Sequence, residues 1–340
     1  MKADPRDWDR LRRLRKAFLD GTAGEADYWR NADDLAAYDA TFAQRIGWKW
    51  DFVLADLEGQ GWKPPSGPLL DWGCGSGIAS RAFLDRFPSA GVTAVHYWDR
   101  SPMAVDFASR RARDRFPGLP IVAGLPDASA IVLVSHVLTE LAPTQVEALL
   151  SILTPATSVL WVEPGTYEAS LALIAIRERM RHAFNPIAPC PHAGTCGVLQ
   201  PGNESHWCHH FATPPPGVFT DPIWSRFSHT LGIDLRSIPL SYLVLDRRPR
   251  DPLPPGTART IGRPSTNKVD TRYIVCTSGG VAEARLPRRD FPEVWRDAKK
   301  DRLPSLQTWE RDDSGTPVGV GPAIPSRAPS ASPNVSHDGT

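Results

Sequence analysis

The sequence lacks any long apolar run. No window approaches the roughly 18 apolar residues of a transmembrane helix, and the opening stretch MKADPRDWDRLRRLRK has no apolar core of the kind a signal peptide needs. Acids at Asp4, Asp7 and Asp9 are also unusual in an organellar transit peptide. We therefore expect a cytoplasmic protein with no membrane partner.

A large excess of charge of one sign is also missing. The 340 residues carry a net charge of +1, with 41% apolar and 23% charged residues, which is ordinary for a globular protein. A balance so close to zero does not exclude a nucleic-acid partner, because binding depends on where the charge lies. The chain is long enough for one large domain or two smaller ones.

The pattern of residues divides the chain into five parts. Alternating strands and helices predict an α/β fold with a parallel sheet covered on both faces. We expect strands at 241–245 and 272–276 to close that sheet as a pair. The predicted parts are a helical N-terminal region over 1–66, the α/β core over 67–183, a Cys/His-rich insertion over 184–230, final strands with a basic segment over 231–302, and a disordered tail over 313–340.

A glycine-rich turn follows the first predicted strand. It has an acid and three glycines in the pattern D-x-G-x-G-x-G: Asp71, Gly73, Gly75 and Gly77. Glycine lets the chain turn sharply and approach a ligand closely, and the helix that follows offers unsatisfied N–H groups. Asp99 ends the next strand, where a carboxylate can accept hydrogen bonds from ribose hydroxyls. The dinucleotide pattern fails at its last glycine, where Ile78 stands.

This spacing resembles the first motif of class I methyltransferases, which use S-adenosylmethionine. The resemblance implies that the glycine loop passes the methionine part of the cofactor and that Asp99 holds the ribose. It also implies that Asp127, after the third strand, lies near the adenine. The alternatives are that the glycines form only a tight turn and that Asp127 is an ordinary loop acid.

No methyl-acceptor motif follows the fourth strand. The Asn/Asp-Pro-Pro-aromatic tetrapeptide of amino-group methyltransferases is absent there, and Ser135 to Leu141 reads SHVLTEL instead. Pro189-Cys190 resembles the nucleophile of cytosine-C5 RNA methyltransferases but lies beyond the fifth strand, which excludes that role. His136 and Glu140 could share one helix face, although ordinary capping and packing roles explain them better. The catalytic residues stay unassigned.

Cysteine is scarce, and no two cysteines form a C-x-x-C pair. Five occur in all, and four of them could converge: Cys190, Cys196, Cys208 and Cys276. Disulfides are rare in the cytoplasm, so such a set indicates a zinc site or an iron–sulfur cluster. The spacing disfavours a zinc ribbon, and nearby histidines could replace one cysteine or support the sulfurs. Four buried free thiols are the alternative.

Several motifs together look like the methyltransferase-like proteins of the ribosomal small subunit, a family of mitochondria and bacteria. The resemblance covers about residues 28–290 and rests on DWGCGSG (71–77), SHVLTEL (135–141), VEPGT (162–166), PCPH (189–192), WCH (207–209) and a late strand cysteine. It implies a Rossmann-like methyltransferase fold bound to the small ribosomal subunit or its RNA. It also implies a [4Fe–4S] cluster held by Cys190, Cys196, Cys208 and Cys276, with zinc as the alternative.

Basic segments are consistent with an RNA partner. Arginines and lysines recur in four stretches, at 10–16, 177–181, 247–263 and 285–300. Guanidinium groups contact phosphates and stack on unpaired bases. Two functions from different classes remain open: a methyltransferase of small-subunit ribosomal RNA, and a non-catalytic RNA-binding assembly factor with a structural cluster. A zinc-containing small-molecule methyltransferase has weaker support.

Overall fold

The computed structural model of the protein describes residues 5–20, 28–300, 302–313 and 317–322. Within these ranges, no helix combines the length and the apolarity needed to cross a bilayer. The predicted disordered tail lies for the most part outside the described residues.

Three helices precede the sheet. They are α1 (Pro5–Leu19), α2 (Ala32–Asp39) and α3 (Phe42–Gly59). Asn31 caps α2, because its side chain accepts a hydrogen bond from the Asp34 amide at 3.1 Å. The same Asp34 forms ion pairs with two arginines of α1, one of them the 2.5 Å contact with Arg13. The basic face of α1 therefore fastens the helix to α2.

The predicted succession of strands and helices is confirmed from residue 67 to residue 180. The elements are β1 (Gly67–Trp72), α4 (Ile78–Arg86), β2 (Val92–Trp98), α5 (Pro102–Arg115), β3 (Ile121–Ala123), β4 (Ile131–Ser135), α6 (Pro143–Leu153), β5 (Ser158–Pro164) and α7 (Tyr167–Met180). Proline stands at the start of α5 and α6, where its missing N–H costs nothing. β1, β4 and β5 are almost wholly buried because helices cover both faces of the sheet.

The Cys/His-rich segment and the strand after it complete this sheet. It contributes β6 (Asn185–Ala188), β7 (His210–Ala212) and α8 (Pro222–Leu231), and β8 (Ile238–Asp246) follows. The strand order is β3-β2-β1-β4-β5-β8-β6, with β7 also pairing β8. β8 runs antiparallel to β5, and all the other neighbours from β3 to β5 are parallel. This mixed sheet is the expected Rossmann-like methyltransferase type.

The predicted closing pair of strands is wrong. The strand at 241–245 lies within β8 as expected, but its outer partner is β6, and residues 272–276 belong to a second sheet. That sheet has the order β11-β10-β9-β12-β13 and is antiparallel throughout. Its elements are β9 (Thr257–Thr266), β10 (Asp270–Thr277), β11 (Gly280–Pro287), α9 (Pro292–Lys299), β12 (Leu306–Arg311) and β13 (Pro317–Pro322). β13 also corrects the predicted tail, because pairing with β12 orders a segment that is poor in large apolar residues.

Two buried apolar clusters hold the main sheet. One packs α1 to α5 and α8 against one face, and the other packs α6 and α7 against the opposite face. The second sheet has a core of its own around Tyr273, Leu286 and Trp309. A further small cluster, which includes Cys196 and Cys276, lies between α7 and the second sheet.

Candidate functional site

The candidate site lies where β1 and β4 end side by side. In a doubly wound sheet the strand order reverses at this point, and ligands bind in the crevice at the carboxyl ends of the strands. The glycine loop follows β1, and all three of its glycines adopt positive φ angles: 67° at Gly73, 51° at Gly75 and 76° at Gly77. Since other residues adopt this region only with strain, the loop requires glycine at these positions.

Two of the glycines are also required for space. A Cβ on Gly73 would lie 2.6 Å from Val137 Cγ1, so the loop touches the turn that follows β4. A Cβ on Gly77 would lie 2.9 Å from Ala108 Cβ, which places Gly77 at the packing contact with α5. The absence of a side chain at Gly73 therefore lets the loop contact the turn after β4. The absence of one at Gly77 lets α4 start close to α5.

Asp99 ties the glycine loop to the end of β2. Its carboxylate accepts hydrogen bonds from the Gly75 amide and the Ser101 amide, both at 2.9 Å. A carboxylate has about four lone-pair positions and can therefore accept several hydrogen bonds at once. Asp71 lies beneath the loop, where it accepts a hydrogen bond from the Ser80 amide at 3.2 Å. Burial raises the pKa of Asp71 to about 7.

A cavity of about 530 Å³ opens above the glycine loop. This volume is typical of a small-molecule site. Among the residues predicted to bind the cofactor, Gly73, Gly75 and Asp99 line it. Asp71 and Gly77 support the loop from below without lining the cavity, and Asp127 is exposed on the loop after β3, outside the lining. The role of each toward a cofactor stays a prediction.

Aromatic rings form two walls of the cavity. Trp72 and Trp98 end neighbouring strands and stack at 4.7 Å between ring centroids, with an angle of 17° between their planes. Across the opening, five rings of the N-terminal region line the same space: Phe18, Tyr28, Trp29, Tyr38 and Phe42. The cavity therefore suits flat, weakly polar ligand groups.

The structure adds two site residues that the sequence reading missed. Lys49 lines the cavity from α3, and its Nζ lies 3.2 Å from Nε2 of His136. Glu163, on β5, is fully buried and accepts hydrogen bonds from the amides of Val137 and Leu138. Lys49 stands three positions after Ile46 and four before Val53, so it lies on the apolar stripe of its helix. A lysine on such a stripe is a sequence signal of a buried charged group, and it could have identified Lys49. His136 and Glu140 share no α-helix, because only a short 3₁₀ turn at 138–140 follows β4.

The four late cysteines lie close together. Burial and the charge of neighbouring thiols raise the pKa of Cys208 and of Cys276, and Cys190 and Cys196 act on both. Two histidines are near the sulfurs: His192 Nε2 is 3.6 Å from Cys276 Sγ, and His210 Nε2 is 3.8 Å from Cys208 Sγ. The fold thus gathers four cysteines that are up to 86 positions apart in the chain.

Three arginines contact the cysteine group, and two of them, Arg177 and Arg259, are buried. Arg177 is 2% exposed and donates from Nε to Cys190 Sγ at 3.0 Å. Arg250 donates to the Cys190 carbonyl, and Arg259 donates to the Pro189 carbonyl. In the described part of the chain, no group of three or more His, Cys, Asp or Glu side chains has the geometry of a bound metal ion. The soft sulfur donors and their cationic surroundings nevertheless fit an anionic thiolate cluster.

Several of the arginines predicted to contact RNA make contacts within the protein. Arg247 donates to the carbonyls of Thr154 and Ala156, and Arg248 pairs with Asp246. Arg259 is 1% exposed and forms a two-point ion pair with Asp56. Of these three residues only Arg259 is buried; Arg247 is exposed and the Arg248 side chain is 41% exposed. The expectation of a basic patch over 247–263 is therefore wrong for Arg259 and stays a prediction for Arg247 and Arg248.

A row of aromatic rings crosses the surface beside the cysteine group. Trp207 and His209 stack at 4.5 Å and 16°, and Tyr167 and Phe211 meet the two ends of this pair edge to face. Arg263, an exposed residue of β9, lies over the Phe211 ring at 4.0 Å. We call Tyr167, Trp207, His209, Phe211 and Arg263 the aromatic row.

A protein-family model matches most of the chain. Residues 60–303 match the family model described as mitochondrial small ribosomal subunit Rsm22. No curated protein sequence was found to match the chain.

Solved structures that resemble the chain include several methyltransferases. A SAM-dependent methyltransferase of Leishmania major is 12% identical, with a TM-score of 0.37 over 67% of this chain and 82% of that one. An rRNA methylase of Escherichia coli is 15% identical, with a TM-score of 0.34 over 54% and 71%. TrmK of M. capricolum, in complex with S-adenosylhomocysteine, is 8% identical, with a TM-score of 0.31 over 58% and 67%. Overlaps with TM-scores below 0.5 are partial, and the fold assignment rests on the strand order instead.

Proposed function

Because the chain belongs to the mitochondrial small ribosomal subunit Rsm22 family, we propose that it binds S-adenosylmethionine and methylates RNA of the small ribosomal subunit. One observation carries the proposal. The same cavity is lined by Gly73, Gly75 and Asp99 and by two polar residues at the end of β4, Ser135 and His136. A cofactor-binding loop and a place for a methyl acceptor thus share one space. The helix that starts after Gly77 adds N–H groups for the cofactor carboxylate.

Cofactor binding is tested with Asp99→Ala. We expect this change to weaken binding of S-adenosylhomocysteine at least about tenfold in calorimetry, because charged hydrogen bonds contribute about 1.5–3 kcal/mol. Asp106→Ala is the matched control, since Asp106 is exposed on α5 and forms an ion pair with Arg110. Equal binding by the wild-type protein and Asp99→Ala would show that Asp99 does not hold the ribose.

We further propose that Cys190, Cys196, Cys208 and Cys276 hold a [4Fe–4S] cluster. When bound, such a cluster would supply a cross-link between the Cys/His-rich segment and β10 of the second sheet. Arg177 supports the assignment, because a buried guanidinium beside Cys190 offsets the negative charge of thiolates.

The cluster is tested by purification without oxygen. We expect brown protein with absorption near ~400 nm and equal amounts of iron and acid-labile sulfide. Cys276→Ser should lose most of the iron, whereas Cys74→Ser should keep it, because Cys74 stands in the glycine loop. Colourless protein with one zinc ion per chain would establish the zinc alternative.

The aromatic row supports an RNA partner. Bases stack on exposed rings, and a guanidinium at the end of such a row can contact the phosphates. We expect Phe211→Ala combined with Arg263→Ala to weaken binding of a single-stranded segment of small-subunit ribosomal RNA at least about tenfold, since each stacked base contributes roughly 1–3 kcal/mol. Phe219→Ala, at an exposed phenylalanine outside the row, is the control.

A non-catalytic assembly factor is the second candidate, and the missing acceptor motif favours it. The two functions separate when methyl groups are mapped on small-subunit RNA from cells with and without the gene. Loss of one methyl mark supports the enzyme. Impaired subunit assembly with every mark intact supports the assembly factor.

A further inference from the structure

The turn after β4 is strained, and buried contacts hold it in place. His136 has a φ of 56° and is the only non-glycine residue in the described ranges with a positive φ. Its amide donates to the Val162 carbonyl at 2.9 Å, and the next two amides donate to Glu163 Oε1 at 3.2 and 3.1 Å. Strained backbone persists where the surroundings enforce it, and it is concentrated at functional sites. These contacts fix the turn that carries His136, and Val137 of the same turn lies against Gly73 of the glycine loop.

Helix α3 brings a lysine to this ring. Trp50 Nε1 donates to Ser135 Oγ at 3.0 Å, which fastens α3 to the end of β4. One residue earlier, Lys49 is 7% exposed and places its Nζ 3.2 Å from His136 Nε2. Within the described residues, no carboxylate forms an ion pair with Lys49. A buried amine that has a histidine instead of a carboxylate as partner is favoured in its neutral form.

The cavity that contains Lys49 has several aromatic rings in its lining. The cavity that holds Lys49 and His136 is bounded by rings of the N-terminal region, with Tyr28 and Trp29 at 4.5 Å and Trp29 and Tyr38 at 5.1 Å between centroids. Such rings accept a planar group by stacking or edge contacts. A planar nitrogen heterocycle of the size of one base therefore suits this cavity.

We propose that Lys49 is the catalytic base for methyl transfer to an N–H group of a nucleobase, and that His136 positions it. This inference rests on the proposed function, because the methyl donor is S-adenosylmethionine. The acceptor nitrogen forms a bond to the methyl carbon while the carbon–sulfur bond breaks and leaves its electron pair on sulfur. The N–H proton passes to the neutral Lys49 amine, and its bonding pair stays on the nitrogen. The products are the methylated base, S-adenosylhomocysteine and an ammonium at Lys49 that releases its proton to water.

The electrostatics of the cavity agree with a base that works near neutral pH. Burial, with Arg45 one turn earlier on α3, lowers the pKa of Lys49 to about 7, and Glu163 on β5 acts in the opposite direction. Burial and Lys49 lower the pKa of His136, so the ring stays neutral and Nε2 can accept from Nζ. Arg45, Glu163 and His136 are the charged or titratable groups that act on Lys49. The efficiency of a general base is greatest when its pKa lies near the working pH.

The first experiment separates cofactor binding from proton transfer. The probes are S-adenosylhomocysteine for binding, and tritiated S-adenosylmethionine with an unmodified transcript of small-subunit ribosomal RNA for transfer. We expect Lys49→Met to bind S-adenosylhomocysteine within about threefold of wild type and to transfer methyl groups at least about 100-fold more slowly. Lys49→Arg should be equally slow, since arginine does not lose its proton. Lys63→Met is the control, because Lys63 is exposed.

Each outcome decides the matter. Wild-type rates in Lys49→Arg would mean that only charge or packing is needed, which overturns the inference and leaves the proposed function intact. Wild-type protein that binds S-adenosylhomocysteine but methylates no RNA would overturn the inference and favour the assembly factor. Wild-type protein that does not bind S-adenosylhomocysteine would overturn the proposed function, and the inference with it.

A second measurement does not depend on activity. The extent of acetylation of Lys49 by acetic anhydride, read by mass spectrometry of the full-length protein after digestion, reports its neutral fraction as a function of pH. We expect half-maximal labelling near pH ~7, with Lys63 as an exposed reference in the same sample. A midpoint for Lys49 above pH ~9 would overturn the neutral-lysine mechanism.

Discussion

The ion pair between Asp56 and Arg259 joins both sheets to the N-terminal helices. Arg259, on β9, donates from both Nη atoms to the Asp56 carboxylate on α3, at 2.9 and 3.1 Å. Tyr242, on β8, donates to the same carboxylate at 2.8 Å. The side chains are 1% exposed at Arg259 and 13% exposed at Asp56. We predict that Asp56→Asn destabilises the protein strongly, because it leaves a buried guanidinium without its countercharge.

Breaking one partner of a buried pair costs about 3–5 kcal/mol in the free energy of unfolding. An exposed pair contributes about 0–1 kcal/mol, and the pair of Asp85 with Arg115 provides that comparison, with side chains 42% and 54% exposed. Urea unfolding followed by tryptophan fluorescence would measure both losses. The reasoning also predicts that Asp56→Asn with Arg259→Gln is less destabilised than the sum of the single changes.

The result that refutes this reasoning is a loss in Asp56→Asn no greater than the loss in Asp85→Asn. Strict additivity in the double variant would also refute it, since the guanidinium would then not depend on Asp56. Either result would mean that the contact is not what holds the second sheet to α3.

Three further predictions concern the candidate site and the cysteine group. Gly73→Ala should abolish binding of S-adenosylhomocysteine in calorimetry, since its Cβ would lie 2.6 Å from Val137 Cγ1 at a φ of 67°. Adding Val137→Ala to this variant should restore part of the affinity. Gly61→Ala, at a φ of 75° with open space around it, should leave binding unchanged. Asp71→Asn should become increasingly more stable than wild type as the pH rises from about 4 to 7. The pKa of Asp71 is raised from 3.8 to about 7, so the folded wild type holds a proton that the unfolded chain has lost. Urea unfolding at several pH values should show a difference on the order of 4 kcal/mol above pH ~7, and a difference that does not change with pH would contradict it. Arg177→Met should hasten the loss of the ~400 nm absorption in air, whereas Arg179→Met, at an exposed arginine paired with Glu147, should not.

By itself the sequence determined the succession of elements in the α/β core. Local signals are strong there, because buried parallel strands are continuous apolar runs and three of the four helices begin at a glycine or a proline. The strands at 68–71, 91–99 and 130–135 therefore coincide with β1, β2 and β4 within one or two residues. The glycine loop and Asp99 were predictable for the same reason, since the residues that form the turn are close together in the sequence.

Only the tertiary structure decided which strands close the sheet and which charges are buried. Residues 185–188 carry too short a pattern to be read as a strand, and pairing with β8 is what orders them. Arg259 is indistinguishable in the sequence from an exposed arginine, and its role arises from a carboxylate 203 positions away. Lys49 and His136 are 87 positions apart, and their contact requires α3 to dock on the end of β4. Burial of a charged group depends on contacts between distant segments, which local sequence patterns do not encode.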